Sequence, residues 1–232
     1  MIKRVLLATS IALSGTVVSF AADMPVKARS NAPVAYSSWT GWYVGGQVGG
    51  VWGSGQVIDP NGAVESTVTP SGIAAGFQGG YDYQFAPSWL IGVRADVAWA
   101  NAKSTAANSF AAALPNTGDL KYQATLVSRL GYVMNDNMFY VLGGVAWANT
   151  KESFANAGNT IAGSADDRRT GYVYGVGAEH KWTPNWTTFA EYNRAEYGSK
   201  TVTYTLIAGG TATAPINNVY SNNFKAGVNY RF

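Results

Sequence analysis

Residues 76–99 alternate apolar and polar side chains, and this alternation constrains the fold of the chain more than any other feature. Across residues 76–85, Phe77, Tyr81 and Tyr83 fall on one phase, whereas Gln78 and Asp82 fall on the other. Side chains alternate between two faces only in an extended strand. The stretch therefore predicts a β-strand with one apolar face and one polar face.

A second strand follows at once, because the alternation restarts after Ala86-Pro87-Ser88. Trp89 and Trp99 begin and end its apolar phase, and Arg94 and Asp96 lie on its polar phase. The short proline-containing connection makes the two strands antiparallel neighbours. A soluble β-sandwich and a membrane β-barrel both produce this pattern, so the rest of the sequence must decide between them.

The composition favours the membrane barrel. Charged residues make up 12% of the chain, which is roughly half the proportion typical of soluble domains. The mean hydropathy of −0.04 argues against a bundle of membrane helices. It does not argue against a barrel, because apolar residues that face lipid and polar residues that face the lumen cancel in the mean. The chain has no cysteine, so disulfides cannot supply the stability of an exported fold.

The N-terminal residues 1–22 have the three parts of a secretory signal peptide. Lys3 and Arg4 precede an apolar run, and the small residues of Ser19-Phe20-Ala21-Ala22 predict the cleavage site. Residues 23–38 contain two prolines and little periodicity, which predicts a flexible lead. Cleavage leaves 14 basic and 13 acidic residues, so the charge of the mature chain gives no reason to expect a nucleic-acid partner.

Residues 39–232 divide into eight strand-like segments that are joined by connections of two kinds. Short turns at 86–88, 134–137 and 183–185 alternate with long polar stretches. Outer-membrane barrels show this asymmetry, with short periplasmic turns and long external loops. The sequence therefore predicts an all-β fold: an eight-stranded antiparallel transmembrane up-and-down β-barrel with four external loops. The predicted strands cover approximately 39–53, 72–85, 89–99, 120–133, 138–150, 170–182, 186–198 and 218–232, and the long stretches are roughly 54–71, 100–119, 151–169 and 199–217.

All eight tryptophans lie near the ends of the predicted strands, with Trp39 at the start of the first one. Two belts of amphipathic aromatic side chains mark the two membrane–water interfaces of a barrel, whereas a sandwich core would place tryptophan in mid-strand. The predicted belts consist of Trp42, Trp89, Trp182 and Trp186 near the short turns, and of Trp52, Trp99 and Trp147 toward the long stretches.

The last predicted strand alternates regularly and ends on an aromatic residue. Phe224, Val228, Tyr230 and the terminal Phe232 share its apolar phase. A terminal aromatic carboxylate after such a strand resembles the recognition signal that the bacterial barrel-assembly machinery reads. We therefore expect these four residues to form an assembly signal, with that machinery as a partner.

Taken together, these features resemble the small outer-membrane β-barrel proteins of alphaproteobacteria, porin-like surface antigens within the OmpA-like and opacity-protein-like group. The resemblance rests on the signal peptide, the eight strands, the opening Thr40-Gly41-Trp42-Tyr43-Val44-Gly45 and the terminal Asn229-Tyr230-Arg231-Phe232. It implies a location in the cell outer membrane of a Gram-negative bacterium and a structural, antigenic or adhesive role. It does not extend to the peptidoglycan-binding domain of OmpA, so anchoring to the cell wall is not implied.

The polar phase of the predicted barrel faces its lumen, since an arginine that faces lipid at mid-membrane costs about 2–4 kcal/mol. Eight strands enclose an interior just wide enough for side chains, which favours a packed network of ion pairs. A narrow polar conduit is the alternative, because small residues such as Gly76 and Gly80 share this phase. The predicted lumen network comprises Gln78, Asp82, Arg94, Asp96, Arg129, Glu179, Lys181, Lys225 and Arg231, with Gln47 and Gln123 on the same phase and Glu191 on a strand of ambiguous phase.

The sequence shows no constellation for catalysis, for a metal or for a cofactor. A lipid-modifying enzyme needs an activated nucleophile, but the single histidine, His180, lies on the lipid-facing phase beside Trp182. The charged run Asp166-Asp167-Arg168-Arg169 reads as a solvated cluster in a long loop. We expect no enzymatic activity, no metal and no cofactor.

We expect a structural and surface-interaction role, in which the barrel supports the outer membrane and its loops form an antigen or adhesion surface. A narrow porin-like channel for small hydrophilic solutes is the second hypothesis, and an outer-membrane lipid-modifying enzyme is the third. Besides the assembly machinery, the expected partners are outer-membrane lipids, lipopolysaccharide, and a host or environmental ligand at the loops, where binding residues concentrate.

Overall fold

The described part of the chain forms a closed antiparallel β-barrel. The predicted signal peptide at 1–22 lies outside it, as does all of the predicted lead at 23–38 except Ser38. Within the described part, no helix is long and apolar enough to cross a membrane. The residues that this computed structural model describes are 38–58, 64–107, 115–155, 161–207 and 209–232.

Nine strands form one sheet, and every hydrogen-bonded pair of neighbours in it is antiparallel. Eight of them are 16 to 21 residues long, which is well beyond the roughly 9–11 residues that a tilted strand needs to cross a bilayer. The strands are β1 Gly41–Ile58, β2 Val64–Val68, β3 Ser71–Ala86, β4 Trp89–Ala107, β5 Pro115–Met134, β6 Asn137–Ala155, β7 Ile161–Lys181, β8 Trp186–Leu206 and β9 Thr211–Arg231.

The barrel nevertheless has eight strands around its circumference, as predicted. Both β2 and β3 pair with β1, and they follow one another along it with only Thr69 and Pro70 between them. Proline cannot donate to a ladder, so Pro70 marks the interruption, and its carbonyl still accepts a hydrogen bond from the Gly53 amide at 2.9 Å. The short β2 is therefore the outer continuation of β3.

Pairing between the first and last strands closes the barrel. The β1–β9 ladder runs from Tyr43 opposite Arg231 to Val57 opposite Ile216, with one shift of register near Ser54. Closure leaves no open sheet edge through the membrane-spanning part, where hydrocarbon offers no hydrogen-bond partner to backbone groups.

The predicted alternation sets which side chains face outward. Phe77 and Ile91 are 67% and 50% exposed on the outer wall, whereas Asp82 and Arg94 on the opposite phase are 0% and 1% exposed. The apolar outer surface suits lipid. The polar phase therefore lines the lumen.

The short connections lie where the sequence predicts them. Pro87 and Ser88 join β3 to β4, and Asn135 and Asp136 join β5 to β6. Asn135 has a φ of 55°, a left-handed conformation that asparagine tolerates better than most residues. We call the end of the barrel that carries these short turns the turn end, and the opposite end the hairpin end.

The long polar stretches differ from the prediction, because most of their residues continue the strands. For example, β4 runs on from Trp99 to Ala107, and β6 runs on from Trp147 to Ala155. Beyond the membrane the outer wall no longer needs apolar side chains, so the alternation fades in the sequence while the backbone ladder continues. Consequently, Trp52, Trp99 and Trp147 lie within strands rather than at their ends.

Candidate functional site

The lumen is the most highly organised region of the barrel. All nine residues of the predicted lumen network point inward and are at most 9% exposed. Counting Glu191, which is 1% exposed, the lumen set contains five cations and four carboxylates. Buried charges are tolerated only where partners offset their desolvation, so the pairing of these groups decides what the lumen can do.

Arg129 organises the layer nearest the turn end. Its Nε donates to Asp82 at 2.8 Å, and a second nitrogen donates to the other oxygen of the same carboxylate at 2.5 Å. Its remaining nitrogen donates to Glu179 at 3.1 Å. The guanidinium also lies 4.7 Å and 5.1 Å from the ring centroids of Tyr43 and Tyr140. Arg129 therefore has two carboxylate partners and two aromatic faces.

Arg231 joins the same two carboxylates from the last strand. It donates to Asp82 at 2.5 Å and to Glu179 at 3.2 Å. Thr187 and Asn229 complete the coordination of Glu179, donating to it at 2.5 Å and 3.1 Å. Two arginines and two carboxylates thus form one neutral cluster that joins four strands, and Thr187 adds a fifth.

A second cluster lies closer to the hairpin end and centres on Arg94. Two of its nitrogens donate to Glu191 at 2.6 Å and 2.8 Å, which is a bidentate ion pair. The Tyr140 hydroxyl also donates to Glu191, at 2.9 Å. Lys225 lies 3.3 Å from both Asp96 and Glu191, so its charge is shared by two carboxylates.

Trp39 closes the lumen at the turn end and is fully buried. Its carbonyl accepts a hydrogen bond from Arg231 at 2.6 Å, and its amide donates to Gln84 at 2.9 Å. Lys181, the surplus cation of the lumen, lies 4.4 Å from the Trp39 ring centroid and donates to the Ser38 carbonyl at 2.8 Å. The residues before β1 therefore cover this mouth.

Apolar side chains fill the lumen toward the hairpin end. Above the ion pairs, Gln123 donates to Tyr197 at 3.2 Å and to Ser221 at 2.6 Å. Beyond that polar layer most inward side chains are apolar and pack in two clusters, although Asp167 and Arg169 of β7 are also buried at this level, where they pair with each other at 2.7 Å. The apolar side chains include Val51, Ala102, Leu120, Ala148, Ala165, Val202 and Ile216.

Among the described residues, a small polar cavity interrupts this packing. It has a volume of about 30 Å³ and is lined by Gln47, Asp96, Gln123, Thr125 and Lys225, among others. Because a water molecule requires roughly 10–15 Å³ of such volume, the cavity has room for only a few waters. It lies between the ion pairs and the apolar layer and is much too small for a solute.

The sequence underestimated several buried residues. The charged run at 166–169 was expected to be a solvated cluster in a long loop, but it lies within β7 and its Asp167 and Arg169 are each 3% exposed. Two lumen residues, Glu191 and Trp39, were also underestimated. Glu191 was ambiguous because Phe189, two residues earlier on the same inward phase, is apolar and 4% exposed. Trp39 was grouped with the tryptophans near the strand ends, although it shares the phase of Gln47, which the sequence assigns to the lumen. That phase was the signal that could have placed Trp39 inside the barrel.

His180 is built into the outer wall rather than into a catalytic site. Its Nδ1 lies 2.9 Å from the Asn137 side-chain oxygen, and its ring meets Trp182 edge to face at 4.5 Å. Across the described ranges, no group of three or more histidine and acidic side chains is arranged to hold a metal. Within the described ranges, the charged groups that are brought together bind one another.

The predicted aromatic belts lie on the outer wall in two groups. At the turn end, Trp42 contacts Tyr81, Trp89 contacts Tyr132 and Trp186 contacts Tyr230, with ring centroids 5.1–5.2 Å apart. The other belt, from Trp52 through Trp99 to Trp147, lies part-way along the strands. The seven predicted belt residues, Trp42, Trp52, Trp89, Trp99, Trp147, Trp182 and Trp186, are 41–67% exposed.

The residues of the predicted assembly signal also face outward. Phe224, Val228, Tyr230 and Phe232 are 36–72% exposed, and the rings of Tyr230 and Phe232 meet edge to face at 5.2 Å. They therefore form a continuous apolar strip along the last strand. Their role in assembly stays a prediction.

Comparison with known proteins agrees with this architecture. A sequence model described as the outer membrane protein β-barrel domain matches residues 15–232. The 31 kDa outer-membrane immunogenic protein of Brucella melitensis is 29% identical over 85% of this chain and 88% of its own length. The 25 kDa outer-membrane immunogenic protein of the same organism is 26% identical over 100% of this chain and 99% of its own length.

Among solved structures, the outer membrane protein OprG of Pseudomonas aeruginosa superposes with a TM-score of 0.52. The match covers 83% of this chain and 96% of OprG, with 13% sequence identity. At that identity the likeness concerns the fold alone.

We predict that Arg129→Leu severely destabilises the barrel, because it leaves Asp82 without its bidentate partner and weakens the pairing of Glu179. Removing one partner of a buried ion pair costs about 3–5 kcal/mol. Urea unfolding of the chain in detergent micelles, followed by tryptophan fluorescence, measures this loss.

Lys103→Leu is the matched control, since Lys103 is exposed on the outer wall near the hairpin end. Its unfolding midpoint should stay close to that of the wild type. Equal midpoints for both variants would mean that the lumen network contributes little to stability.

Proposed function

We propose, since this chain belongs to the outer membrane protein β-barrel domain family, that it is a non-conducting barrel with a structural and surface-presenting role. The chain is an integral β-barrel protein of the outer membrane. Its interior stabilises the wall, and its long hairpins form the surface that the cell exposes. The filled lumen is the observation that carries this proposal.

Three successive barriers support the absence of conduction. Trp39 covers the turn end, and the clusters of Arg129 and Arg94 fill the middle. Apolar side chains such as Leu120 and Val202 fill the hairpin end. A hydrated ion would have to displace charged groups that already hold one another, and then a packed layer in which the buried Asp167 and Arg169 are already paired with each other.

The surface role is supported by the length of the strands and by the relatives. Beyond Trp99 and Trp147 the strands continue to Ala107 and Ala155, so the paired strands extend past the second tryptophan belt. The Brucella relatives are named immunogenic proteins of the outer membrane. By extension, we propose that these hairpins are the antigenic or ligand-contacting surface of this chain.

We predict that the folded chain, purified from outer membranes, gives no conductance steps in a planar bilayer. A heat-dependent gel shift of the same sample confirms that the barrel is folded. Stable, reproducible steps would contradict the proposal and favour the porin-like alternative, for which the polar cavity beside Asp96 is the supporting feature. In that case Asp96→Asn should change ion selectivity, whereas Glu196→Gln on the outer wall should not.

The orientation of the barrel can be tested with single cysteines, because the chain has none of its own. Lys151 is exposed near the hairpin end, and Asp136 is exposed in a short turn. We predict that a membrane-impermeant maleimide labels Lys151→Cys on intact cells but labels Asp136→Cys only after the outer membrane is permeabilised. The reverse labelling would place the hairpins in the periplasm and contradict the surface role.

We also propose that the apolar strip from Phe224 to Phe232 is read by the barrel-assembly machinery. Phe232 is 72% exposed at the end of the closing strand, where a second protein can reach it before the barrel closes. Deleting Phe232 should reduce the amount of folded barrel in the outer membrane several-fold, as measured by the heat-dependent gel shift. Ile207→Ala, at another exposed apolar residue, is the control, and a normal folded level without Phe232 would contradict the assignment.

Enzymatic activity has no support in the described residues. His180 has Asn137 and Trp182 as its neighbours and lies on the outer wall. The relatives are named as immunogenic proteins. We therefore place no catalytic role on this chain.

A further inference from the structure

The wall of the barrel has one long interruption within the described ranges, and it lies between β7 and β8 near the hairpin end. Their ladder stops at Tyr172 opposite Glu196 and resumes only at Ser164 opposite Thr205. The other shifts in the described ladders skip at most two residues of a strand. Along residues 197–204, β8 therefore runs beside β7 without pairing with it.

Two residues in left-handed conformations lie at the level where this interruption begins. Gly198 on β8 has a φ of 68°, and Asn218 on β9 has a φ of 54°. Both ladders of β9 shift here, since its pairing with β8 skips residues 217–218 and its pairing with β1 skips residues 218–219. A bulge bends its strand and interrupts the ladder, so β8 and β9 share one bend at this level.

Beyond the bend, β8 and β9 form a hairpin with little lateral support. Consecutive cross-strand pairs join its two strands from Lys200 to Thr205 on β8. The ladder of β1 with β9 ends at Ile216, so the hairpin loses its pairing with β1 on one side and with β7 on the other. We call residues 199–206 and 211–215 the β8–β9 lid.

Contacts at two levels hold the lid against β7. At its tip, Ser164 pairs with Thr205. Within the interruption, the Lys200 ammonium lies 2.5 Å from an Asp167 oxygen and donates to the Arg168 carbonyl at 3.0 Å. Asp167 is buried, whereas half of the Lys200 side chain is exposed. We call the ion pair between Lys200 and Asp167 the latch.

The lid covers an apolar part of the lumen. Val202 on its inner face is 4% exposed and belongs to one cluster with Ala165 of β7 and Ile216 of β9. Its outward residues, by contrast, include the exposed Thr201 and Thr203. The lid therefore has the two unlike faces of a cover, one apolar and buried and the other polar and exposed.

The contacts that hold the lid are weak compared with those of the wall below the bend. There, β8 pairs with β7 and β9 along its whole length from Thr187 to Glu196. Segments with few paired neighbours open locally at a lower free energy than the rest of a fold. An ion pair with one exposed partner contributes only modestly to holding such a segment. Residues at the ends of elements that absorb changes of φ and ψ act as hinges.

We propose that the β8–β9 lid is hinged at Gly198 and Asn218 and moves away from β7 when the latch between Lys200 and Asp167 breaks. Its opening exposes the inner face around Val202, so the hairpin end has a closed surface and an open one. The ion-pair clusters below the bend stay in place, so the motion does not open a conducting path. The inference depends neither on the orientation of the barrel nor on what its surface binds.

The reaction rate of a buried single cysteine measures this motion, because the chain has no cysteine of its own. In Val202→Cys, folded in detergent micelles, N-ethylmaleimide should react slowly, at a rate that the opening of the lid sets. Lys200→Gln removes the charge of the latch and should raise this rate about fivefold. Lys200→Arg keeps the ion pair and should leave the rate within about twofold of the parent. Intact mass spectrometry follows the reaction.

Val127→Cys is the matched control, because Val127 is 2% exposed and lies opposite Arg94, below the bend. Its labelling should be equally slow with and without Lys200→Gln. Lys103→Gln, at an exposed lysine, should not accelerate the labelling of Val202→Cys. The heat-dependent gel shift verifies that each variant is folded.

Two results would overturn the proposal. An unchanged rate at Val202→Cys after Lys200→Gln would mean that the ion pair does not hold the lid. Equal acceleration at Val127→Cys would indicate a general loosening of the barrel rather than a hinged lid.

Discussion

Every other feature of this barrel depends on the closure of its backbone ladder. Hydrocarbon offers no partner to a free amide or carbonyl, so β1 must pair with β9 along the membrane-spanning part. Closure at eight strands produces an interior only wide enough for side chains. The polar phase of each strand is directed into that narrow space, where charged groups must find one another.

The ion pairs and the two ends of the lumen support each other. Trp39 at one end and residues such as Leu120 at the other restrict the access of water to the clusters of Arg129 and Arg94. Less water means weaker dielectric screening, which strengthens each attraction but raises the cost of leaving any charge unpaired. The interior therefore acts as a polar core in place of the apolar core of a soluble protein.

The sequence alone predicted the strand number, the short turns and the inward phase of residues such as Arg94 and Arg129, because alternation and turn chemistry are local signals. Glu191 was ambiguous because Phe189 breaks the polar phase that β8 directs inward. The extension of β4 beyond Trp99 was missed because strands outside the membrane carry no apolar outer phase. The pairing of Arg94 with Glu191 joins residues 97 apart, and no local pattern specifies such a partner.

The contact between Arg231 and Trp39 has a consequence for how the chain matures. These residues are separated by 192 positions, and they meet only when the last strand reaches the first. Contacts so distant in sequence make folding slow, since loop closure precedes any gain from pairing. Until then the aromatic outer phase of every strand is exposed to water and prone to aggregation. An unfolded chain of this kind therefore depends on protection from aggregation until its last strand has paired with its first.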